Sequence, residues 1–198
     1  MRVDRILYPV ETLGPGRRVV IWTAGCSKHC AECANPELWT STEAQEMPPG
    51  SLARYLLDVG ESYGCHELTL TGGDPLEQPD ELLDCLETVR NVYDDVLLYT
   101  GYTLEEAQRC LSYVNWLRLR TCVDVLIDGP YIAARNVAGL ALRGSDNQRV
   151  SFLNEKMRRK YAEYMGQGRW VQNFVFENCA ISVGIHDRPS DMHARGAM

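Results

Sequence analysis

Apolar and polar positions alternate along this chain in two rhythms. Short apolar-rich stretches predict strands over residues 19–22, 66–71, 96–100 and 123–127, the first of them a buried run. Between them the apolar residues fall at helical spacing. Leu52, Tyr55, Leu56 and Val59 predict a helix over 52–63, with Ser51 as its N-cap. Leu82, Leu83, Leu86 and Val89 predict a second over 79–92. A third is predicted over 104–111, where Thr103 and Glu106 have the spacing of a capping box. Strand and helix alternate from end to end of this region, which predicts an α/β fold of parallel units with right-handed crossovers. Further on, residues 170–176 and 180–185 predict a strand pair joined by a short turn. The tail over 187–198 is polar and is expected to be loose. With no internal repeat and no long linker, a single domain over 1–198 is expected.

Composition narrows the functional classes. The chain has 198 residues, 45% of them apolar, which suffices for one domain with a real core. No apolar run approaches the ~20 residues that span a bilayer, so no membrane partner is expected. A net charge of −7 argues against binding a nucleic-acid polymer, which needs a basic surface. The opening Met1-Arg2-Val3-Asp4-Arg5 is too charged for a secretory signal. A cytoplasmic, reducing location is therefore expected for the eight cysteines.

Three of those cysteines are the most telling chemistry. Cys26, Cys30 and Cys33 follow the first predicted strand as Cys-x3-Cys-x2-Cys. Chance would produce this spacing on the order of 0.01 times in such a chain. Three thiolates from one loop suit an iron–sulfur cluster with one iron left open. A structural zinc site would need a fourth ligand, and His29, between Lys28 and Cys30, could not easily turn inward with the cysteines. Cys65, Cys85, Cys110, Cys122 and Cys179 are scattered and read as buried structural thiols.

Other strand ends carry weaker signals. Gly72-Gly73-Asp74-Pro75 is a good plain turn, but beside the cysteine loop it reads as a ligand site, with Asp74 able to accept from an ammonium. Asp124 and Asp128 bracket a strand and share one side of it. Asp128 is either a turn former or a site residue. The polar stretch over 143–149 is either a solvated loop or one that closes over a cofactor or docks a partner. The basic stretch over 156–160 reads as a solvated helix face or a docking surface.

Taken together, the cysteine loop, the Gly-Gly-Asp-Pro strand end and the βα pattern resemble the radical S-adenosylmethionine superfamily. Within it the chain resembles the family of activating proteins of anaerobic ribonucleoside-triphosphate reductase. The resemblance also rests on Tyr99-Thr100-Gly101-Tyr102, on the segment from Asp124 to Tyr131 and on the 143–149 stretch. It covers about residues 6–150, leaving a C-terminal extension of about 151–198. It implies a partial (βα)6 barrel, open on one side, with the C-terminal strand pair added. It implies that Cys26, Cys30 and Cys33 hold a [4Fe–4S] cluster whose fourth iron takes the amino and carboxylate groups of S-adenosylmethionine. Gly72, Gly73 and Asp74 would line the amino group, and Thr100 and Asp128 are further candidate contacts. Reductive cleavage would then yield a 5′-deoxyadenosyl radical that places a glycyl radical on a large partner enzyme, with a flavodoxin or ferredoxin as electron donor. Relatives commonly carry an aromatic residue beside the third cysteine, where this chain has Glu32 and Ala34, so a weaker or differently built adenine contact is expected. Two rivals remain: a radical enzyme acting on a peptide or small molecule, and a non-catalytic iron–sulfur electron carrier.

Overall fold

The computed structural model describes residues 1–187; the polar tail expected beyond Asp187 lies outside the described residues. Its centre is a six-stranded sheet in sequence order: β1 (Val3–Val10), β2 (Arg18–Thr23), β3 (Glu67–Gly72), β4 (Asp95–Tyr99), β5 (Val125–Asp128) and β6 (Arg149–Phe152). Strands β2 to β5 are parallel, while β1 and β6 are antiparallel to their neighbours. Helices α1 (Pro49–Tyr63), α2 (Pro79–Val89), α3 (Leu104–Cys110) and α4 (Tyr113–Cys122) fill the crossovers. A separate antiparallel pair, β7 (Val171–Val175) and β8 (Ala180–Gly184), follows α5 (Arg158–Met165).

Both sheet faces are covered, so β2, β4 and β5 carry short apolar runs, while β3 alternates leucine with threonine. Val19, Ile21, Leu68, Leu70, Leu98 and Leu126 pack on the helix layer, against Leu52 and Leu56 of α1 and Leu82 and Leu86 of α2. On the inner face, Val20 and Trp22 meet Val183 and the half-buried Phe174 of the C-terminal pair. Leu97, Val125 and Ile127 meet Tyr161 and Tyr164 of α5. The extension thus supplies a large share of the inner core.

A buried polar knot ties α5 to the N-terminal end of the sheet. The Arg18 side chain is 0% exposed and Asp95 1%. The Arg18 guanidinium donates to the Thr69 hydroxyl (2.6 Å), to the carbonyls of Pro15 (2.8 Å) and Leu68 (2.7 Å), and to Asp95 Oδ1 (3.1 Å). Tyr161 donates to the same carboxylate at 2.7 Å, and Lys160 Nζ lies 2.7 Å from its Oδ2. Burial alone would raise the Asp95 pKa, but Arg18, Lys160 and Tyr161 outweigh it and hold the carboxyl below its usual range.

Several sequence expectations are refined. The sheet has six strands, but only four are parallel, because β1 and β6 pair antiparallel at the two edges. Helix α1 starts at Pro49 rather than after Ser51, with proline in the first turn where no N–H partner is needed. Helix α2 ends at Val89. The capping box before α3 forms as expected: Glu106 N donates to the Thr103 hydroxyl (3.2 Å) and Thr103 N to the Glu106 carboxylate (2.8 Å). Cys65, Cys85 and Cys122 are buried, but Cys110 and Cys179 are exposed, contrary to the default reading. The basic stretch is neither bare nor uniform. Lys160 reaches Asp95, Arg158 pairs with Glu155 (2.8 Å), and Arg159 is largely solvated. No helix among the described residues is long and apolar enough to cross a membrane.

Candidate active site

Parallel strands place their C-terminal ends on one side of a sheet, and ligands of α/β folds collect there. The register aligns Thr23 with Gly72, and Tyr99 with Ile127. The loops after β2, β3, β4 and β5 therefore emerge together around a cavity of about 730 Å3.

The first wall is the cysteine loop. It leaves β2, is held at its root by Gly25 N donating to Leu38 O (2.9 Å) and Cys26 N to Trp39 O (3.0 Å), and is anchored by the fully buried Leu38. His29 and Glu32 adopt φ of 45° and 55°, which lets the chain coil back within a few residues. Cys26, Cys30 and Cys33 all line the cavity. His29 does not line the cavity and packs on Trp39 with the rings tilted, centroids 4.8 Å apart.

Each sulfur has backbone N–H groups facing it. These come from Lys28 and His29 for Cys26, from Tyr131 for Cys30, and from Asn35 for Cys33, the last at 3.4 Å. Burial pushes the Cys26 and Cys30 thiols up, and these N–H groups pull against it. Among the described residues, no three His, Cys, Asp or Glu side chains sit close enough to share one metal ion. A [4Fe–4S] cluster takes one thiolate per iron, so its ligands surround a cube instead of converging on a point. Three free thiols on one cavity wall, each facing amide donors of the kind that tune cluster sulfurs, fit such a group.

The second wall follows β3. Gly73 N donates to Thr23 O (2.7 Å) and Asp74 N to Gly25 O (2.9 Å), so this turn is fastened to the root of the cysteine loop. The glycines are required by that close approach. A Cβ on Gly73 would collide with the Gly25 carbonyl, and one on Gly72 with the backbone of Thr23, where φ is already 106°. Gly73→Ala is therefore expected to displace the cysteine loop. It should cost about 1–3 kcal/mol of stability and most of the bound iron, measured by urea unfolding and by iron content after reconstitution.

Asp74 is 1% exposed and lines the cavity. Its carboxylate accepts from Leu76 N (3.1 Å), the Thr100 hydroxyl (2.9 Å) and Gly101 N (2.9 Å). Burial pushes its pKa up to about 6, against the pull of these donors. Thr100 also lines the cavity, and its hydroxyl orients Asp74. Lys28, on the cysteine loop, crosses to this side and sits 3.4 Å from the centre of the Tyr102 ring.

Asp128 does not join these residues. Its carboxylate is fully buried and accepts from Leu104 N at the start of α3 (2.9 Å), from Ser151 (2.7 Å) and from Arg149 (2.6 Å). Asp124, on the same side of β5, is likewise structural, in a two-pronged pair with Arg90 at 2.9 and 2.8 Å. The polar stretch over 143–149 folds as a compact turn on the cavity wall. Gln148 accepts from Gly144 N (2.8 Å) and donates to Gly129 O (3.1 Å). Sequence reasoning missed Tyr131 and Asn136, and also residues 184–187, which close the cavity from the C-terminal pair.

The fold and this three-thiol cavity define an iron–sulfur α/β protein. A family model for a 4Fe-4S single cluster domain matches residues 12–151. The anaerobic ribonucleoside-triphosphate reductase-activating protein of Enterobacteria phage T4 is 35% identical over 156 residues, covering 76% of this chain and 93% of its own. The protein of that name from Vibrio cholerae is 32% identical over 152 residues, covering 71% and 92%. The pyruvate formate-lyase-activating enzyme of Clostridium pasteurianum is 33% identical over 176 residues, covering 85% of this chain and 68% of its own. The chain belongs to the family of anaerobic ribonucleoside-triphosphate reductase-activating proteins.

Proposed function

We propose that this protein is a radical S-adenosylmethionine enzyme that installs a glycyl radical on a large partner, the anaerobic ribonucleoside-triphosphate reductase. The carrying observation is the pairing of three cavity-lining thiols with a glycine turn fastened to their loop. Cys26, Cys30 and Cys33 would hold three irons of a [4Fe–4S] cluster and leave the fourth for the amino and carboxylate groups of S-adenosylmethionine. When bound and reduced, the cluster supplies the electron that splits S-adenosylmethionine into methionine and the 5′-deoxyadenosyl radical. Gly72 and Gly73 keep that corner of the cavity clear of side chains. Asp74, fixed by three donors, offers a carboxyl oxygen to an ammonium. Thr100 acts through Asp74, and Asp128 serves the cavity wall rather than the cofactor. The amide donors facing the sulfurs stabilise thiolate over thiol.

The sheet, as a partial barrel open on one side, would admit a polypeptide loop. A single domain in a reducing cytoplasm, served by a flavodoxin or ferredoxin, completes the reading.

The test is anaerobic. The reconstituted, reduced protein is mixed with S-adenosylmethionine and the reductase large subunit, and 5′-deoxyadenosine and the glycyl radical are measured. Both products, dependent on all three cysteines, are expected. A well-formed cluster that gives neither product with the partner present would leave an electron carrier.

A further inference from the structure

The matched family region ends at residue 151, yet the cavity does not. Residues 184–187, at the end of β8, line it together with Tyr131, Asn136 and Gly144 from the loop after β5. Both segments are held by one side chain. Arg169, just before β7, is buried, its side chain 5% exposed. Its Nε donates to Leu140 O (2.9 Å), and its Nη2 to the carbonyls of Arg143 (2.9 Å) and Gly144 (3.2 Å). Its Nη1 reaches Asn136 Oδ1 (2.7 Å), His186 O (3.3 Å) and Asp187 Oδ1 (3.0 Å). Every nitrogen of the fork is used, on two segments that have no strand pairing with each other.

We propose that Arg169 is a positioning residue that latches the C-terminal strap 184–187 to the loop over 136–144, and so fixes the side of the cavity facing the cysteines. The strap is already pressed on the start of β7: a Cβ on Gly184 would lie 2.6 Å from Trp170 O. The loop side reaches the sulfurs. Asn136 donates to the Tyr131 hydroxyl (3.2 Å), the Tyr131 ring lies against Gly144, and Tyr131 N–H faces Cys30. Arg169 therefore governs two walls at once. A lysine has one compact donor head and cannot span the same acceptors.

The test compares the wild-type chain with Arg169→Met and Arg169→Lys by two readouts. Hydrogen exchange on the protein without its cluster is expected to quicken about 10-fold or more in 136–144 and 184–187 together, while β2 to β5 keep their protection. Affinity of the reconstituted, unreduced protein for S-adenosylmethionine is expected to fall about 10–100-fold, with lysine between wild type and methionine. Unchanged exchange, loosening of one segment alone, or local loosening with unchanged affinity would each overturn the proposal. If Arg169→Met unfolds globally, Arg169→Lys decides, since it keeps one compact donor head and gives up the rest of the fork. Faster exchange at 184–187 in that variant supports the latch, and unchanged exchange refutes it. The affinity arm rests on the cofactor reading proposed above, and the exchange arm does not. A wild type that binds no S-adenosylmethionine fails that reading, whereas wild-type binding matched by the variants fails this one.

Discussion

Replacing Cys30 with alanine is expected to strip the chain of most of its iron and reduce S-adenosylmethionine cleavage to background, with the far-ultraviolet circular dichroism unchanged. Cys30 is half-buried on a loop outside the hydrophobic core, so its removal leaves no core cavity. What it removes is the middle thiol of three and the sulfur that Tyr131 N–H faces. Loss of an outer hydrogen-bond partner of a metal ligand costs about 10–100-fold, and loss of a ligand should exceed that. Cys110→Ala is the control, because that thiol is exposed and does not line the cavity. A full iron complement in the Cys30 variant would refute the ligand assignment.

Asp95→Asn is expected to cost about 3–5 kcal/mol, because it leaves the buried Arg18 without its counter-charge. For a chain of this size that corresponds to a fall of roughly 10 °C in the unfolding midpoint of the cluster-free protein. The pH dependence follows from the lowered carboxyl pKa. A carboxylate with a folded-state pKa below its unfolded value of about 3.9 stabilises fully above that value. The contribution fades as pH falls through the folded-state pKa. The stability gap between wild type and variant should therefore be wide at neutral pH and close in acid, as measured by urea unfolding across pH. A gap that stays constant into acid would show that the charge on Asp95 is not what the knot uses.

The central strands were legible because burial on both faces writes short apolar runs into β2, β4 and β5, and β3 alternates leucine and threonine ahead of its glycine turn. The edge strands were not. Strand β1 carries Asp4 and Arg5 beside its apolar residues, and β6 is four residues long and opens on Arg149. Helix α4 escaped because its pattern is smeared. Tyr113, Val114 and Leu117 are exposed, while Asn115 is buried and bonded to Asp80 at 2.7 Å. At the site, the cysteine spacing and the glycine turn needed no tertiary knowledge. For Asp128, a position at a strand end says nothing about phase. It shares the side of Leu126, which packs on the helix layer, and not the side that opens on the cavity. Arg169 left no signal at all, since a lone arginine in a polar stretch acquires its partners only when β7 and β8 fold back.

The way α5 fills the inner face has a consequence for any visitor. Tyr161 and Tyr164 pack with Leu142 and Tyr99 below the cavity, so on that side the space is blind. A polypeptide that reaches this side meets packed side chains, a surface better matched by a bend or a chain end than by a chain running on. About 730 Å3 is a volume suited to one small molecule. With S-adenosylmethionine in residence less of that volume is left, and every side-chain atom brought in competes for it. Glycine brings none.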